Sequence, residues 1–516
     1  MPARGGTFSN PILPGFHPDP SICVAEGRFY LVTSSFEYFP GIPLFVSDDL
    51  VTWVQLGHVL DRTSQLDLRG APASGGLFAP TIRYHNGTWF VACTNVTGGG
   101  HFLVTSTDPA SGWSDPIWIE QDGIDPSLFF EDGQVYFTSN VQPDPGGPHE
   151  QIPAFQRGIQ QSLIDPRTGA ILDGPHFIWA GTGARYPEAP HVIKRQGWYY
   201  LVIAEGGTEY GHIASVGRSS SPWGPFEPSP YGPMIDHRSI PSPFQAMGHA
   251  DVVEASPDDW WAVCLGVRPL GGWPHHTLGR ETFLAPLSWT DDGWPIVGDK
   301  GKVGEVLERP ALPAGLPQAS ETRDGFEGDV FGPSWMSVRI PAREAGASIA
   351  GGAVVLRPEG RSLDGRFPCF VGRRQQHHAF RAATSVVAFE PVVGDEAGLA
   401  VRMNDTNFYS LGIRQTAQGA EIRLAQRFGH VNSDIVVGTL SDPGEVTVEV
   451  ESDGWTYQFS CTDGRSHHVS PPLDAIFLST EVAGGYTGIF VGMYATSVGP
   501  RSGAARFDWF EYAPRR

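Results

Sequence analysis

The chain has 516 residues, 40% hydrophobic and 18% charged, which excludes a disordered protein and is more than one ordinary domain needs. A formal charge of −21 excludes a surface built for nucleic-acid phosphates or anionic lipid and fits a neutral ligand. The five cysteines (Cys23, Cys93, Cys264, Cys369, Cys461) show no CxxC or metal-type spacing, and neither an apolar signal region nor a membrane-length apolar stretch is present, so a cytoplasmic protein with free thiols is expected.

From the N-terminus, one pattern recurs five times: HPDPSICVAEGRFYLVTSS from His17, LFAPTIRYHNGTWFVACTN from Leu77, GIDPSLFFEDGQVYFTSN from Gly123, YPEAPHVIKRQGWYYLVIA from Tyr186 and GHADVVEASPDDWWAVCLG from Gly248. Each unit has a short polar start, an apolar strand, a turn with Gly or Asp, and an aromatic strand. The same 11-residue step links Asp19 to Tyr30, Ala79 to Phe90, Asp125 to Tyr136, Glu188 to Tyr199 and His249 to Trp260. The first members of these five pairs fall 60, 46, 63 and 61 residues apart. This is blade spacing, and it predicts a five-bladed β-propeller over residues 1–307. A sandwich of similar hairpins is the alternative, but it does not require one position to recur in every hairpin. ERPALPAGLPQASET over residues 308–322 reads as a linker or extended strap. Residues 323–516 alternate apolar and polar positions in segments such as TSVVAFEPVV, GLAVRMND and RFDWFEYAP, with no long helical pattern. They predict an antiparallel β-sandwich of jelly-roll type, which makes the chain all-β.

The innermost strands of a propeller line a central channel, so equivalent positions converge. Here they are Asp19, Ala79, Asp125, Glu188 and His249. A purely structural core would place apolar residues at recurring sites, because burying an unpaired charge is costly. Three carboxylates and a histidine on one funnel fit a hydrolytic site. Glycosidic cleavage needs one carboxylic acid to protonate the leaving oxygen and a second carboxylate on the opposite face. A third can raise the acid's pKa. Turn roles compete for Asp19 and Asp125, both followed by proline, while His249 can equally line the channel as a satisfied histidine.

NPILPGFHPDPSI, SSFEYFPGIPLFVSDDLVTW, GIDPSLF, PEAPH, EGGT, MGHADVV and LGRETFLAPLSW together resemble glycoside hydrolase family 43, closest to its two-domain β-xylosidases and α-L-arabinofuranosidases. The resemblance implies an inverting mechanism with Asp19 as general base, Asp125 as pKa modulator and Glu188 as general acid. Base and acid should then lie ~6.5–9.5 Å apart. It also implies that Phe36 and Phe78 wall the sugar site, and that Arg280 contacts the glycone and keeps Asp125 ionised. His249 matches a central histidine that in some relatives reaches a metal through water, so no cofactor is required while calcium in the channel remains an option. Phe78 replaces a frequent Trp, and Ala189 replaces the usual Gly with little expected consequence. In such xylosidases the C-terminal domain lends an aromatic residue to the pocket rim, which the sequence does not locate.

The expected activity is exo-acting release of a terminal pentose, β-1,4-linked xylose or α-L-arabinofuranose, from short neutral oligosaccharides. No nucleic-acid or membrane partner is expected, while self-association into a homo-oligomer is compatible with the chain. A β-fructosidase on the same propeller is the rival enzyme, but its Arg-Asp-Pro and Glu-Cys-Pro segments are missing in register. A non-catalytic carbohydrate-binding protein is the rival from another class, and loss of a carboxylate would favour it.

Overall fold

A computed structural model of the chain describes residues 6–141, 157–271, 275–313, 315, 322–389, 392–440 and 444–515. Residues 1–5 and, within the expected linker over 308–322, residues 314 and 316–321 therefore lie outside the described residues.

Tight turns organise the first half. Glu26-Gly27, Asn86-Gly87, Asp132-Gly133 and Gln196-Gly197 have positive φ at both positions. That is the two-residue turn whose twist matches its flanking strands, and glycine supplies the second position without steric cost. These turns join Ser21–Ala25 to Arg28–Val32, Thr81–His85 to Thr88–Asn95, Ser127–Glu131 to Gln134–Val141 and Glu188–Arg195 to Trp198–Glu205. The fifth hairpin, Gln245–Ser256 with Asp259–Val267, turns at Pro257-Asp258 with positive φ at Asp258.

Each hairpin extends into an antiparallel sheet of four strands, the fourth sheet carrying one more. The first strands of successive sheets neighbour one another, and the fifth returns to the first. Apolar cores fill every gap between sheets. Val32, Val46, Trp89 and Val91 lie between the first and second, Leu103 and Phe137 between the second and third, Ile159 and Leu201 between the third and fourth, Val202 and Cys264 between the fourth and fifth. Leu31, Phe45, Trp261 and Val263 close the ring. Thr7–Ser9 pairs with Val306–Glu308, and Asn10 bonds Leu284 and Gly304, tying the chain's start to the end of the ring.

The turns correct the repeat register by one residue in two sheets. Asp19, Ala79 and Asp125 lie eight residues before Gly27, Gly87 and Gly133, but Glu188 and His249 lie nine before Gly197 and Asp258. The extra residue is absorbed by pairing irregularities between Glu188 and His191 and between Gly248 and Asp251. Such bulges re-aim side chains without breaking the sheet.

The second half forms a nine-stranded and a six-stranded antiparallel sheet. Leu399, Val401, Leu411 and Val491 of the six-stranded sheet pack against Val448, Val450, Phe459 and Phe507 of the other. The six-stranded sheet buries its other face too. Phe370, Ala400, Phe408, Phe490 and Tyr494 cluster with Phe16, Phe36 and Tyr38 of the first half, and Tyr38 stacks on Phe490 with centroids 3.9 Å apart. Tyr38–Phe39 pairs with Ser337–Val338 across this junction. The short helix Thr480–Ala483 and a 3-10 turn Ala475–Leu478 are the only helices among the described residues.

Arg339 locks the junction. Its backbone N–H donates to Glu37 O at 2.7 Å, Nε to Ala71 O at 2.6 Å, and Nη1 and Nη2 to Asp405 at 3.0 and 2.6 Å. Arg339→Ala leaves Asp405 without this partner and Ala71 O with only the longer 3.4 Å bond from Arg366 Nη2, so a loss of about 3–5 kcal/mol is expected in denaturant melts. A melt matching the parent would show the junction to be held elsewhere.

Candidate active site

A cavity of about 800 Å³ gathers Asp19, Phe36, Phe78, Asp125, Glu188, His249 and Arg280. Asp19 and Asp125 stand two residues before the first strands of their sheets, each with φ of 56°. Asp tolerates this left-handed conformation better than most residues.

Asp19 is the most tightly held carboxylate. Ser34 Oγ donates to Oδ2 at 2.5 Å and Arg280 Nη1 to Oδ1 at 2.6 Å, while His249 Nδ1 lies 3.6 Å from Oδ1. Burial alone would raise this carboxyl, but Arg280, His249 and Ser34 outweigh it and hold the pKa below the usual 3.8. Burial pushes Glu188 up to about 7, helped by the Asp19 charge and opposed by Arg280 and Arg157. Asp125 is raised well above the usual range by burial, then by Glu188 and Asp19, despite an N–H from Ala189 at 3.2 Å to Oδ2. The site thus pairs a carboxylate held low with two carboxyls whose pKa values are raised, Glu188 to about 7. His249 is drawn down to about 4, chiefly by burial, and is an uncharged imidazole.

Two expectations change. Arg280 grips Asp19 rather than holding Asp125 ionised, and it sits over Phe36 with its Cζ 5.5 Å from the ring centroid. Ala189 also matters more than its replacement of Gly promised. Its φ is 51°, a conformation glycine adopts freely and other residues pay about 1–2 kcal/mol to reach.

The second domain supplies the rim through Thr480, Glu481, Gly485, Tyr486 and Thr487. Tyr486 lies 6.1 Å from Phe36 and from Phe78, centroid to centroid, and its carbonyl accepts from Arg280 Nη2 at 3.3 Å. This is the rim aromatic that the sequence left unplaced. Glu481 accepts from the backbone N–H of His276 at 3.0 Å, lies 2.7 Å from His276 Nδ1, and accepts from Tyr210 Oη at 3.0 Å. Arg157, Tyr186, Tyr210, His212 and His276 also line the cavity and were not anticipated. Only Tyr186 carried a signal, its place beside PEAPH. Glu481→Ala frees the rim segment that carries Tyr486. An increase in KM of roughly tenfold is expected for disaccharides, with a smaller change in kcat. An unchanged KM in steady-state kinetics would show that Glu481 does not position the rim.

An aromatic-walled cavity holding one carboxyl with a lowered pKa and two with raised pKa values defines a hydrolase of glycosidic bonds. The chain belongs to glycosyl hydrolases family 43, whose model matches residues 8–295, and residues 323–513 match the β-xylosidase C-terminal concanavalin A-like domain. It is 42% identical to the non-reducing end α-L-arabinofuranosidase BoGH43B of Bacteroides ovatus over 98% of this chain and 94% of that one. It is 32% identical to a β-xylosidase of Bacillus subtilis over 98% of this chain and 99% of that one. Among solved structures, xylan β-1,4-xylosidase from Bacillus halodurans superposes with a TM-score of 0.92 at 31% identity, covering 98% of this chain and 100% of that one. All five cysteines are buried and unpaired, and among the described residues no helix is long and apolar enough to cross a membrane.

Proposed function

We propose that the protein is an exo-acting, inverting glycosidase that removes one terminal pentose, β-1,4-linked xylose or α-L-arabinofuranose, from short neutral oligosaccharides. The observation that carries this reading is the meeting of Asp19, Asp125 and Glu188 in one cavity whose rim comes from the second domain. Such a rim admits chain ends rather than mid-chain segments. Asp19 is the general base, ionised and oriented by Arg280 and Ser34. Glu188 is the general acid, and Asp125 shares its proton and keeps its pKa high. Phe36, Phe78 and Tyr486 form the sugar's apolar walls, while Arg280 and His249, both beside Asp19, are its polar contacts. The ring of sheets is read as a five-bladed propeller over residues 1–307, followed by the linker 308–322 and a jelly-roll-type sandwich over 323–516.

The names of the relatives support both pentoses, and a missing or extra carbon changes selectivity by only ~1–3 kcal/mol. Time-resolved NMR of xylobiose and arabinoxylooligosaccharide hydrolysis tests sugar and stereochemistry together. A first-formed free pentose of inverted anomeric configuration is expected. Retained configuration, or a folded protein with no turnover of either substrate, would overturn the proposal.

A further inference from the structure

Two residues beyond His249 on the same strand stands Asp251, and around it the first strands of four sheets meet on one side chain, Arg83. Arg83 Nη1 donates to Asp251 Oδ2 at 2.8 Å and Nη2 to Oδ1 at 3.1 Å. Nη1 also reaches Ser21 Oγ at 3.2 Å and the carbonyls of Ile22 and Ile82 at 3.3 and 2.8 Å. Nη2 lies 3.0 Å from His191 Nδ1. Asp251 further accepts from Ser21 Oγ at 2.7 Å and from the N–H groups of Ile22 and Val252 at 3.1 and 2.9 Å. The Asp251 side chain is fully buried and that of His191 is 3% exposed, so this is an interior network rather than a surface pair.

We infer that Arg83 is the permanent cation of this ring, standing where a divalent ion would have to bind, and that the protein needs no metal for folding or turnover. A calcium ion takes six to eight oxygen ligands. Here the carboxylate is already filled by five donor groups. The His191 ring nitrogen faces the Arg83 guanidinium. An entering dication would meet that fixed positive charge at contact distance. Among the described residues no group of three or more His, Cys, Asp or Glu is placed to hold a metal. Asp251 and His191, beside His249 in the channel, therefore do not fit the calcium that the family resemblance allowed. Arg83 instead cross-links Ser21 and Ile22 of the first sheet, His191 of the fourth and Asp251 of the fifth.

The test begins with exhaustively chelated parent protein, analysed for metal content, melting temperature and kcat/KM, before and after calcium chloride is added. No stoichiometric metal and no change in either quantity are expected. A loss on chelation that calcium restores would overturn the inference. Only the kcat/KM arm rests on the glycosidase reading, so failure of that reading leaves the metal and melting arms intact. In Arg83→Ala, Asp251 keeps its charge without its counter-ion, and melting should drop by roughly 5–15 °C. Millimolar guanidinium or calcium should recover part of that drop. A melt equal to the parent's contradicts the role of Arg83. If the single variant does not fold, R83A/D251N decides. Removal of both charges should restore a cooperative melt above that of the single variant, and no gain would refute the charge pairing.

Discussion

Asp19→Ala is expected to lower kcat/KM by about 10³–10⁴-fold on every substrate, whatever its leaving group. Water attack needs a base whichever aglycone departs, so an activated aryl glycoside cannot bypass the loss. The carboxylate suits this role because Arg280, His249 and Ser34 overcome its burial and keep it ionised below the usual 3.8. Azide needs no deprotonation. It should restore part of the rate by forming a C1–N bond as the C1–O bond to the aglycone breaks, with Glu188 giving the leaving oxygen its proton. The glycosyl azide should have inverted configuration. A retained glycosyl azide would make Asp19 the acid/base of a double displacement rather than the base of a single one, and near-parental turnover of an aryl pentoside would remove it from the chemistry. The Asp19 charge also raises Glu188. Asp19→Asn, which keeps the shape but not the charge, should therefore shift the basic limb of its residual pH profile downward.

The parts of this site legible in the sequence are those written locally. Asp19 and Asp125 precede matching strand starts and share one backbone conformation, so their likeness survives as a repeated Asp-Pro pair. The Glu-Gly, Asn-Gly, Asp-Gly and Gln-Gly turns state their hairpins outright, since only certain residues reach positive φ cheaply. The exact register of Glu188 and His249 was hidden because a bulge absorbs one residue while the paired aromatics Tyr199-Tyr200 and Trp260-Trp261 still offer an aromatic 11 residues on. The rim was hidden for another reason. Glu481 meets His276 across 205 positions of sequence, and Tyr486 meets Arg280 across 206. No periodicity within either half encodes a contact between the halves. Arg83 was overlooked because a charged residue in an alternating strand reads as solvent-facing, whereas here Asp251 and His191 receive it in the interior.

Glu188→Gln is expected to separate substrates by leaving group. Xylobiose, whose leaving alkoxide needs a proton, should lose about 10²–10⁴-fold in kcat/KM, while a dinitrophenyl pentoside should lose only about tenfold. The pH profile makes the assignment independent of the mutation. An acid must be protonated to act, so the parent's kcat/KM should fall as pH rises through the Glu188 pKa of about 7. A base must be ionised, so activity should fall on the other side only as pH drops through the depressed pKa of Asp19. The outcome is a broad acidic optimum whose two limbs belong to different carboxyls. Burial raises both Glu188 and Asp125, and because two charges so close cannot readily ionise together, one proton stays with the pair near neutrality. Asp125→Asn should consequently move the basic limb to lower pH, whereas Glu188→Gln should abolish it. Equal losses for good and poor leaving groups, or a basic limb that persists in Glu188→Gln, would assign the proton donor to another group. Of the remaining groups lining this cavity, Asp125 is the other carboxyl whose pKa is raised, which makes the two variants together a decision between them.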